Sequence, residues 1–398
     1  MEADLTVRRP IQMRLPKLFK NNPKGQEREI RAIIFFSRLF KGIKPNKVVF
    51  MCFRGRSYGD NPRYISERLH ERYPEAEIVW AFKGNTIHEM RKRVPDYVRC
   101  ISMSARSYFG ELATARVWVD NFTKDSVLRG FPKGKQFYIQ TWHGDRPIKK
   151  ICYDEFPDGY RLEEEADLVL TGSEFGKNLY RTAFRYKGEY MNEGAPRNDI
   201  LVRNDSADAA RVRAKIGVSP DAKLLLYAPT YRENSDVVPK HAQMDLRRTL
   251  DLLESRGEKW VCLYRAHYLS AGIDLEAEKG RIIDMSKYED MSELLLVSDM
   301  LLTDYSSCAM DYCVMDRPAF MFMSDYEEYL STRGVYYDPH DTPLLIAHNQ
   351  QELEELIDKT DAEAARANCK AIRDYYGVNE TGHATDSVCD YFIDKLRR

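Results

Sequence analysis

Along this chain, short runs of consecutive apolar residues alternate with longer stretches whose apolar positions return every three or four residues. The first pattern is that of a strand buried on both faces, the second that of an amphipathic helix. Lys47–Phe53 predicts a strand, and Asn61–Tyr73, entered through Gly59-Asp60-Asn61-Pro62, predicts a helix. Strands follow at 77–82, 98–101, 116–120 and 136–141, with helices at 86–93 and 105–115 set between the first of them. A second series begins after residue 205, with strands at 223–229, 260–265, 281–284, 300–303 and 319–322. Its helices fall at 245–255, 291–297 and 307–314, and the stretch 350–396 reads as largely helical with a break near Gly377. Strands and helices in alternation predict parallel sheets covered on both faces. The architecture expected is therefore α/β, with doubly wound domains over 46–205 and 206–398 that face each other across a cleft. Its opening lies where the carboxyl ends of the strands converge.

The 398-residue length accommodates two such domains. A hydrophobic content of 43% with 31% charged residues is that of a globular protein rather than a disordered one. A net charge of -1 gives no global basic field, so nucleic acid is not expected as a partner. The eight cysteines form no Cys-x-x-Cys pair and mostly sit in apolar runs such as Val261-Cys262-Leu263. They predict neither a disulfide framework nor a zinc site, which suits a reducing cytoplasm.

The first 44 residues depart from this balance. They hold eleven Lys or Arg against four Asp or Glu, a local charge of +7. Within them Ile30, Ile33, Ile34, Phe36, Leu39 and Phe40 recur at helical spacing between Arg28, Arg31, Arg38 and Lys41. A basic amphipathic helix of this kind suits an anionic membrane surface. It also suits a helix packed on the first domain with its basic side in water. No apolar stretch approaches the roughly 20 residues that span a bilayer, and the chain start lacks the apolar core of a secretory signal.

Chemistry gathers at predicted strand ends. Trp142-His143-Gly144 closes the 136–141 run, so His143 is carried by a rigid element yet sits at its tip, with Lys149 and Lys150 close behind. A structural turn histidine has the same signature. In the second half, strand ends release Thr230 and Arg232, then Arg265-Ala266-His267, then Thr303-Asp304-Tyr305-Ser306-Ser307 at the start of a helix. Hydroxyls and unpaired N–H groups at a helix start favour a phosphate, although Ser is also an ordinary helix cap. Gly194-Ala195-Pro196-Arg197 joins the halves, and an arginine there can fork onto phosphate oxygens.

Taken in order, Trp142-His143-Gly144 with Lys149, Gly172-Ser173, Gly194-x-Pro196-Arg197-x-Asp199, Ala228-Pro229-Thr230-x-Arg232, Arg265-x-His267 and Thr303-Asp304-Tyr305-Ser306-Ser307 form a recognisable set. It continues through Asp311, Arg317-Pro318, Asp325-x-x-x-Tyr329 and Arg333-Gly334-x-Tyr336. The set resembles the CDP-glycerol glycerophosphotransferases that build teichoic acids. The resemblance covers roughly residues 135–340, and residues 47–135 are compatible with the family's first domain. Two departures stand out. Asp145-Arg146-Pro147-Ile148-Lys149 replaces the family's frequent Thr-Pro-Leu-Lys, and Arg265-Ala266-His267-Tyr268 replaces Arg-x-His-Pro.

The resemblance implies a GT-B-type fold of two Rossmann-like domains. It also implies transfer of glycerol phosphate from CDP-glycerol to a hydroxyl of a lipid-linked polymer acceptor, with release of CMP at the inner face of the cell membrane. His143 then suits a general base, since an ordinary histidine titrates at about 6.5. Arg265, His267, Ser306 and Ser307 would surround the diphosphate, with Gly144, Lys149, Arg197, Thr230 and Arg232 as further donor-site residues. Asp304 and Asp311 would accept from ribose or glycerol hydroxyls, or Asp304 would buttress its turn. Asp304 and Asp311 are not spaced as a D-x-D pair, so catalysis without a metal or other cofactor is expected. The motifs do not separate CDP-glycerol from CDP-ribitol. A GT-B glycosyltransferase and a noncatalytic nucleotide-binding scaffold at the membrane are the competing readings.

Overall fold

The computed structural model describes residues 23–104, 106–124, 128, 130–131, 134–157, 163–230, 244–265, 280–332 and 334–397. The expected alternation appears in it as two parallel sheets. The first comprises β1 (Lys44–Met51), β2 (Glu77–Phe82), β3 (Arg99–Ser102), β4 (Ala115–Asp120), β5 (Phe137–Gln140), β6 (Leu168–Thr171) and β7 (Glu189–Asn192). The second comprises β8 (Lys223–Ala228), β9 (Trp260–Tyr264), β10 (Ile282–Asp284), β11 (Met300–Thr303), β12 (Ala319–Phe322) and β13 (Leu345–Ala347). Their orders are β3-β2-β1-β4-β5-β6-β7 and β10-β9-β8-β11-β12-β13. Strand order reverses between β1 and β4 in one sheet and between β8 and β11 in the other. Reversal opens a crevice beyond the strand ends, where open α/β sheets bind ligands.

Apolar runs become strands because both faces are covered. On one face of the first sheet, helix α1 (Pro23–Lys41) and helix Arg106–Thr114 bury Ile30, Ile34, Tyr108 and Leu112 with Val49 and Trp118. On the other, helix α2 (Asp60–Arg72) places Ile65 and Leu69 against Val48, Phe50 and Trp80. The final helix, Ala384–Arg397, lies on that same face. Its Val388, Cys389, Phe392, Ile393 and Leu396 are buried with residues of β1 and β4, so the chain returns to the first sheet at its end. Each such side chain taken from water contributes about 1.5–3 kcal/mol.

Element ends differ from the sequence pattern where local geometry intervenes. Strand β1 stops at Met51, before the apolar run does, because Phe53 (φ 45) and Arg54 (φ 56) turn left-handed ahead of Gly55 (φ 74). The helix expected over 86–93 is the single turn Ile87–Met90. That expected over 307–314 is Cys308–Tyr312 followed by a 3-10 turn at 313–315. The helical C-terminus breaks at Gly377 (φ 58) as expected, and also between Lys359 and Ala362.

Candidate active site

Strand β5 ends at Gln140, and the next residues are held one by one. Thr141 N donates to the Asp120 carbonyl at 2.8 Å, and Trp142 N donates to Gln140 Oε1 at 2.9 Å. From the first turn of α2, buried Asn61 donates through Nδ2 to the carbonyls of Thr141 and Trp142, at 3.2 and 3.1 Å. This clamp holds Trp142 at φ 48 and turns the chain so that His143 projects from the strand tip.

The His143 ring is half-buried among aromatic rings: Trp142 at 4.3 Å, Phe53 at 5.2 Å and Phe122 at 5.5 Å between centroids. The Phe122 ring lies parallel to it, within 4°. His143 Nδ1 is 2.7 Å from the Asn121 carbonyl oxygen. A carbonyl can only accept, so Nδ1 carries the proton and Nε2 presents a lone pair. Burial lowers the pKa of the imidazole, opposed by the Asn121 carbonyl and by Asp60, while Arg197 and Lys149 lower it further. A neutral imidazole with an available Nε2 is what a general base needs.

Directly after it, Gly144 (φ 149) passes so close to the second domain that an added Cβ would sit 2.8 Å from Ser307 Oγ. The His143 loop and the serine-rich turn therefore touch. That turn is shaped by Asp304, whose carboxylate accepts from Thr230 N at 2.9 and 3.0 Å and from Tyr305 N at 2.7 Å. Of the two readings of Asp304, the buttress is the one these bonds describe. Thr230 is thereby tied to the end of β11, beside Ser306. The helix behind Ser307 has only five residues, so the hydroxyls of Ser306 and Ser307 carry more of any anion site than a helix dipole does.

Arg265 lies at the next strand end. Its Nε and Nη2 both reach the Tyr288 carbonyl at 3.3 Å, and Nη1 points to Met291 Sδ at 3.4 Å. One carbonyl and one thioether are weak partners for a group with five donors. Burial lowers the pKa of Arg265.

Two expected substrate residues are engaged elsewhere. Arg197 donates from Nη2 to Asp311 Oδ2 at 2.8 Å, and Asp311 Oδ1 accepts from Arg146 at 2.7 Å and Asn198 at 3.0 Å. Both Asp311 oxygens thus accept hydrogen bonds from within the protein. Arg197 Nη1 is buried without a hydrogen-bond partner among the described residues, although Asp60 Oδ1 lies 3.5 Å from it as an ion pair. Lys149 is exposed and pairs through its backbone with Val335. Arg232 and His267 lie outside the described residues. Among the described residues no group of three or more His, Cys, Asp or Glu could hold a metal ion.

Asn61, Asn121, Phe53 and Phe122 escaped the sequence reading. Their signal was positional, since Phe53, Asn121 and Phe122 lie just past β1 or β4, the strands that flank the reversal of strand order, and Asn61 opens the helix that follows β1.

Two parallel-sheet domains whose chemistry meets at their facing strand ends define a GT-B-type transferase. The sequence model of the CDP-glycerol:poly(glycerophosphate) glycerophosphotransferases matches residues 33–394, and the chain belongs to that family. It is 29% identical to a teichoic acid glycerol-phosphate transferase of Staphylococcus aureus, over 89% of this chain and 94% of that protein. It is 33% identical to a teichoic acid poly(glycerol phosphate) polymerase of Staphylococcus epidermidis over 74% of this chain, but spans only 42% of that longer protein. A structure of the wall teichoic acid polymerase TagF superposes with a TM-score of 0.79 at 28% identity, covering 94% of each chain.

Proposed function

We propose that this protein transfers glycerol phosphate from CDP-glycerol to a hydroxyl of a membrane-linked teichoic-acid-type acceptor. The observation that carries the reading is the close approach of Gly144, the residue after His143, to Ser307 of the serine-rich turn, together with a His143 ring whose Nδ1 is committed to the Asn121 carbonyl. His143 Nε2 takes the proton of the acceptor hydroxyl as its oxygen bonds to the phosphorus that bears glycerol. The bond from that phosphorus to the bridging oxygen breaks, and CMP leaves with the oxygen. Charge on the bridging and terminal oxygens is met by Arg265, by the Ser306 and Ser307 hydroxyls, and by Arg197 Nη1. Fixed, dry donors of this kind supply most of the catalysis in phosphoryl transfer. His267, Arg232 and Lys149 complete the donor site in this reading.

Glycerol is favoured over ribitol by relatedness: the Staphylococcus aureus ribitol-phosphate polymerases TarL and TarK are 23% and 25% identical, below the glycerol-phosphate relatives named above. An acceptor at the membrane gives a purpose to α1, which exposes Phe35, Phe36, Leu39 and Phe40 beside Arg28 and Lys41. No described helix is long and apolar enough to cross a membrane, so α1 would lie on its surface.

The test is to incubate the purified protein and a lipid-linked acceptor with CDP-glycerol, CDP-ribitol or a UDP-sugar, and to follow nucleotide release. CMP from CDP-glycerol, lost in His143→Ala while CDP-glycerol still binds within about 3-fold, is the expected result. Absence of CMP from CDP-glycerol sinks the reading, and CMP from CDP-ribitol alone reassigns the donor.

A further inference from the structure

Behind the base-bearing loop lies a buried ionic cluster that no step of the transfer uses. It begins with Asp145 and Arg146, 6% and 1% exposed, in the stretch that departs from the family's frequent Thr-Pro-Leu-Lys. Asp145 Oδ2 accepts from Thr171 Oγ1 at 2.7 Å and from Gly172 N and Ser173 Oγ at 2.8 Å, which pins the loop to the end of β6. Asp145 Oδ1 sits 3.1 Å from Arg146 Nε. The Arg146 guanidinium then reaches out of the first domain, from Nη2 to Asp311 Oδ1 at 2.7 Å and to Glu380 Oε1 at 2.8 Å. Asn198 Nδ2 bridges the same two carboxylates at 3.0 and 2.9 Å, and Ala195 N donates to Glu380 Oε2 at 2.9 Å. Asp311 belongs to the short helix that follows Ser307, so the network joins both sides of the cleft.

The surrounding backbone leaves room for these carboxylates. A Cβ on Gly172 would meet Glu380 Oε1 at 2.5 Å, one on Gly194 would meet Glu380 Oε2 at 2.6 Å, and one on Gly176 would meet Asp145 Oδ2 at 2.6 Å. Three approaches of this closeness mark a fitted site rather than an incidental ion pair. Such a network is a costly way to gain stability, because desolvating the ions offsets much of their attraction. Its value lies in directionality, since a guanidinium fork and a carboxylate fix each other to a few tenths of an ångström.

We propose that Asp145 and Arg146 are positioning residues that hold the His143–Gly144 loop in register with the Ser306–Ser307 turn by tying it to Asp311 and Glu380. The proposal rests on the glycerol phosphate transfer reading and says how its base is aimed. Only Gly144 separates His143 from Asp145, and Gly144 is the point at which the loop meets Ser307. A loop released by about 1 Å would leave the base and the donor intact but out of line, which costs on the order of 100-fold in rate.

The charges that face Arg146 are Asp145, Asp311 and Glu380, with Arg197 beyond Asp311 and Asp60 beyond Arg197. Three carboxylates thus share two guanidiniums in the interior. Burial pushes Glu380 up to about 7, with Arg146 opposing and Asp311 and Asp145 adding to the rise. Removing Arg146 alone would strand these carboxylates and risk misfolding. The informative variant is therefore the charge-balanced pair Arg146→Met with Glu380→Gln, compared with Arg146→Lys, which keeps the charge but not the fork.

With CDP-glycerol and acceptor, the paired variant should bind CDP-glycerol within about 3-fold of wild type and lose on the order of 100-fold in kcat. Arg146→Lys should fall between the two. A folded paired variant with unchanged kcat, or one whose loss is all in CDP-glycerol affinity, overturns the proposal. A second readout needs no substrate. In 15N-histidine spectra the wild-type His143 ring should show a protonated Nδ1, and the paired variant should lose that single tautomer as the loop is released. An unchanged His143 signal in the folded variant also overturns the proposal. If wild type itself releases no CMP, the transfer reading fails while this spectrum still decides the positioning.

Discussion

A histidine becomes a base at neutral pH only when one ring nitrogen is committed and the other is not. Here the Asn121 carbonyl commits Nδ1 at 2.7 Å, and the surrounding rings strip water from the imidazolium. Both facts were hidden from the sequence, in which Asn121 and Phe122 are two residues of a loop some twenty positions upstream. The motif Trp142-His143-Gly144 marked the residue, and the fold supplies the committed Nδ1 that the proposed base requires. The sign of the consequence is fixed. Burial favours the neutral ring, so the pKa falls below the ordinary value and the base is available at a lower pH than a solvent histidine would be. The rate should rise as pH climbs through a value below about 6.5 and be level by neutrality. The kcat/KM profile reports this group in the free enzyme. A limb centred above 7 would mean that the titrating base is another group, or that His143 is not desolvated.

Elements were legible where their apolar runs are long and their ends are marked. Strands β2, β8 and β11 begin within a residue of their sequence bounds because each contains a run of three to five apolar residues buried within its sheet. Strands β6, β7 and β13 were not read; β6 is a buried interior strand of four residues, and β7 and β13 are outermost in their sheets. Glu189-Tyr190-Met191-Asn192 is half-polar and largely uncovered, and Leu345-Ile346-Ala347 is three residues long. A run with few consecutive buried apolar positions leaves little trace in hydrophobicity. The helix Ala384–Arg397 was legible as a helix, but its position was not, since nothing local to it says which sheet it covers. Packing settles that. Phe392 is fully buried with β1 and β4, so Phe392→Ala should destabilise the protein by about 3–5 kcal/mol in urea unfolding. The loss should be felt in the first domain although the residue lies six positions from the end of the chain. A cost below 1 kcal/mol would mean that this helix is docked only loosely.

For the whole molecule, the proposed membrane-held acceptor asks how an enzyme with nearly balanced charge would reach it. Its net charge of -1 offers no global attraction to an anionic surface. Helix α1 concentrates what the rest lacks. Ile30 and Ile34 are buried against the first domain, while Phe35, Phe36, Leu39 and Phe40 are 61%, 52%, 63% and 79% exposed. Four large apolar side chains on one helix, with Arg28 and Lys41 also in water, are an unusual outlay for a surface that meets only solvent. Inserted at a bilayer interface, each apolar side chain is worth about 1.5–3 kcal/mol, and each nearby basic residue adds about 1 kcal/mol on anionic lipid. The two contributions separate experimentally, because salt screens the second and leaves the first. Replacing Phe36, Leu39 and Phe40 with Ser should therefore cut co-sedimentation with phosphatidylglycerol-containing vesicles at least 10-fold, at low and high salt alike. Turnover on a short water-soluble acceptor should be unchanged, while turnover on vesicle-borne acceptor falls in step with binding. Wild-type protein that ignores such vesicles at low salt, or a triple variant that binds them as well as wild type, would leave α1 as packing for the first domain alone.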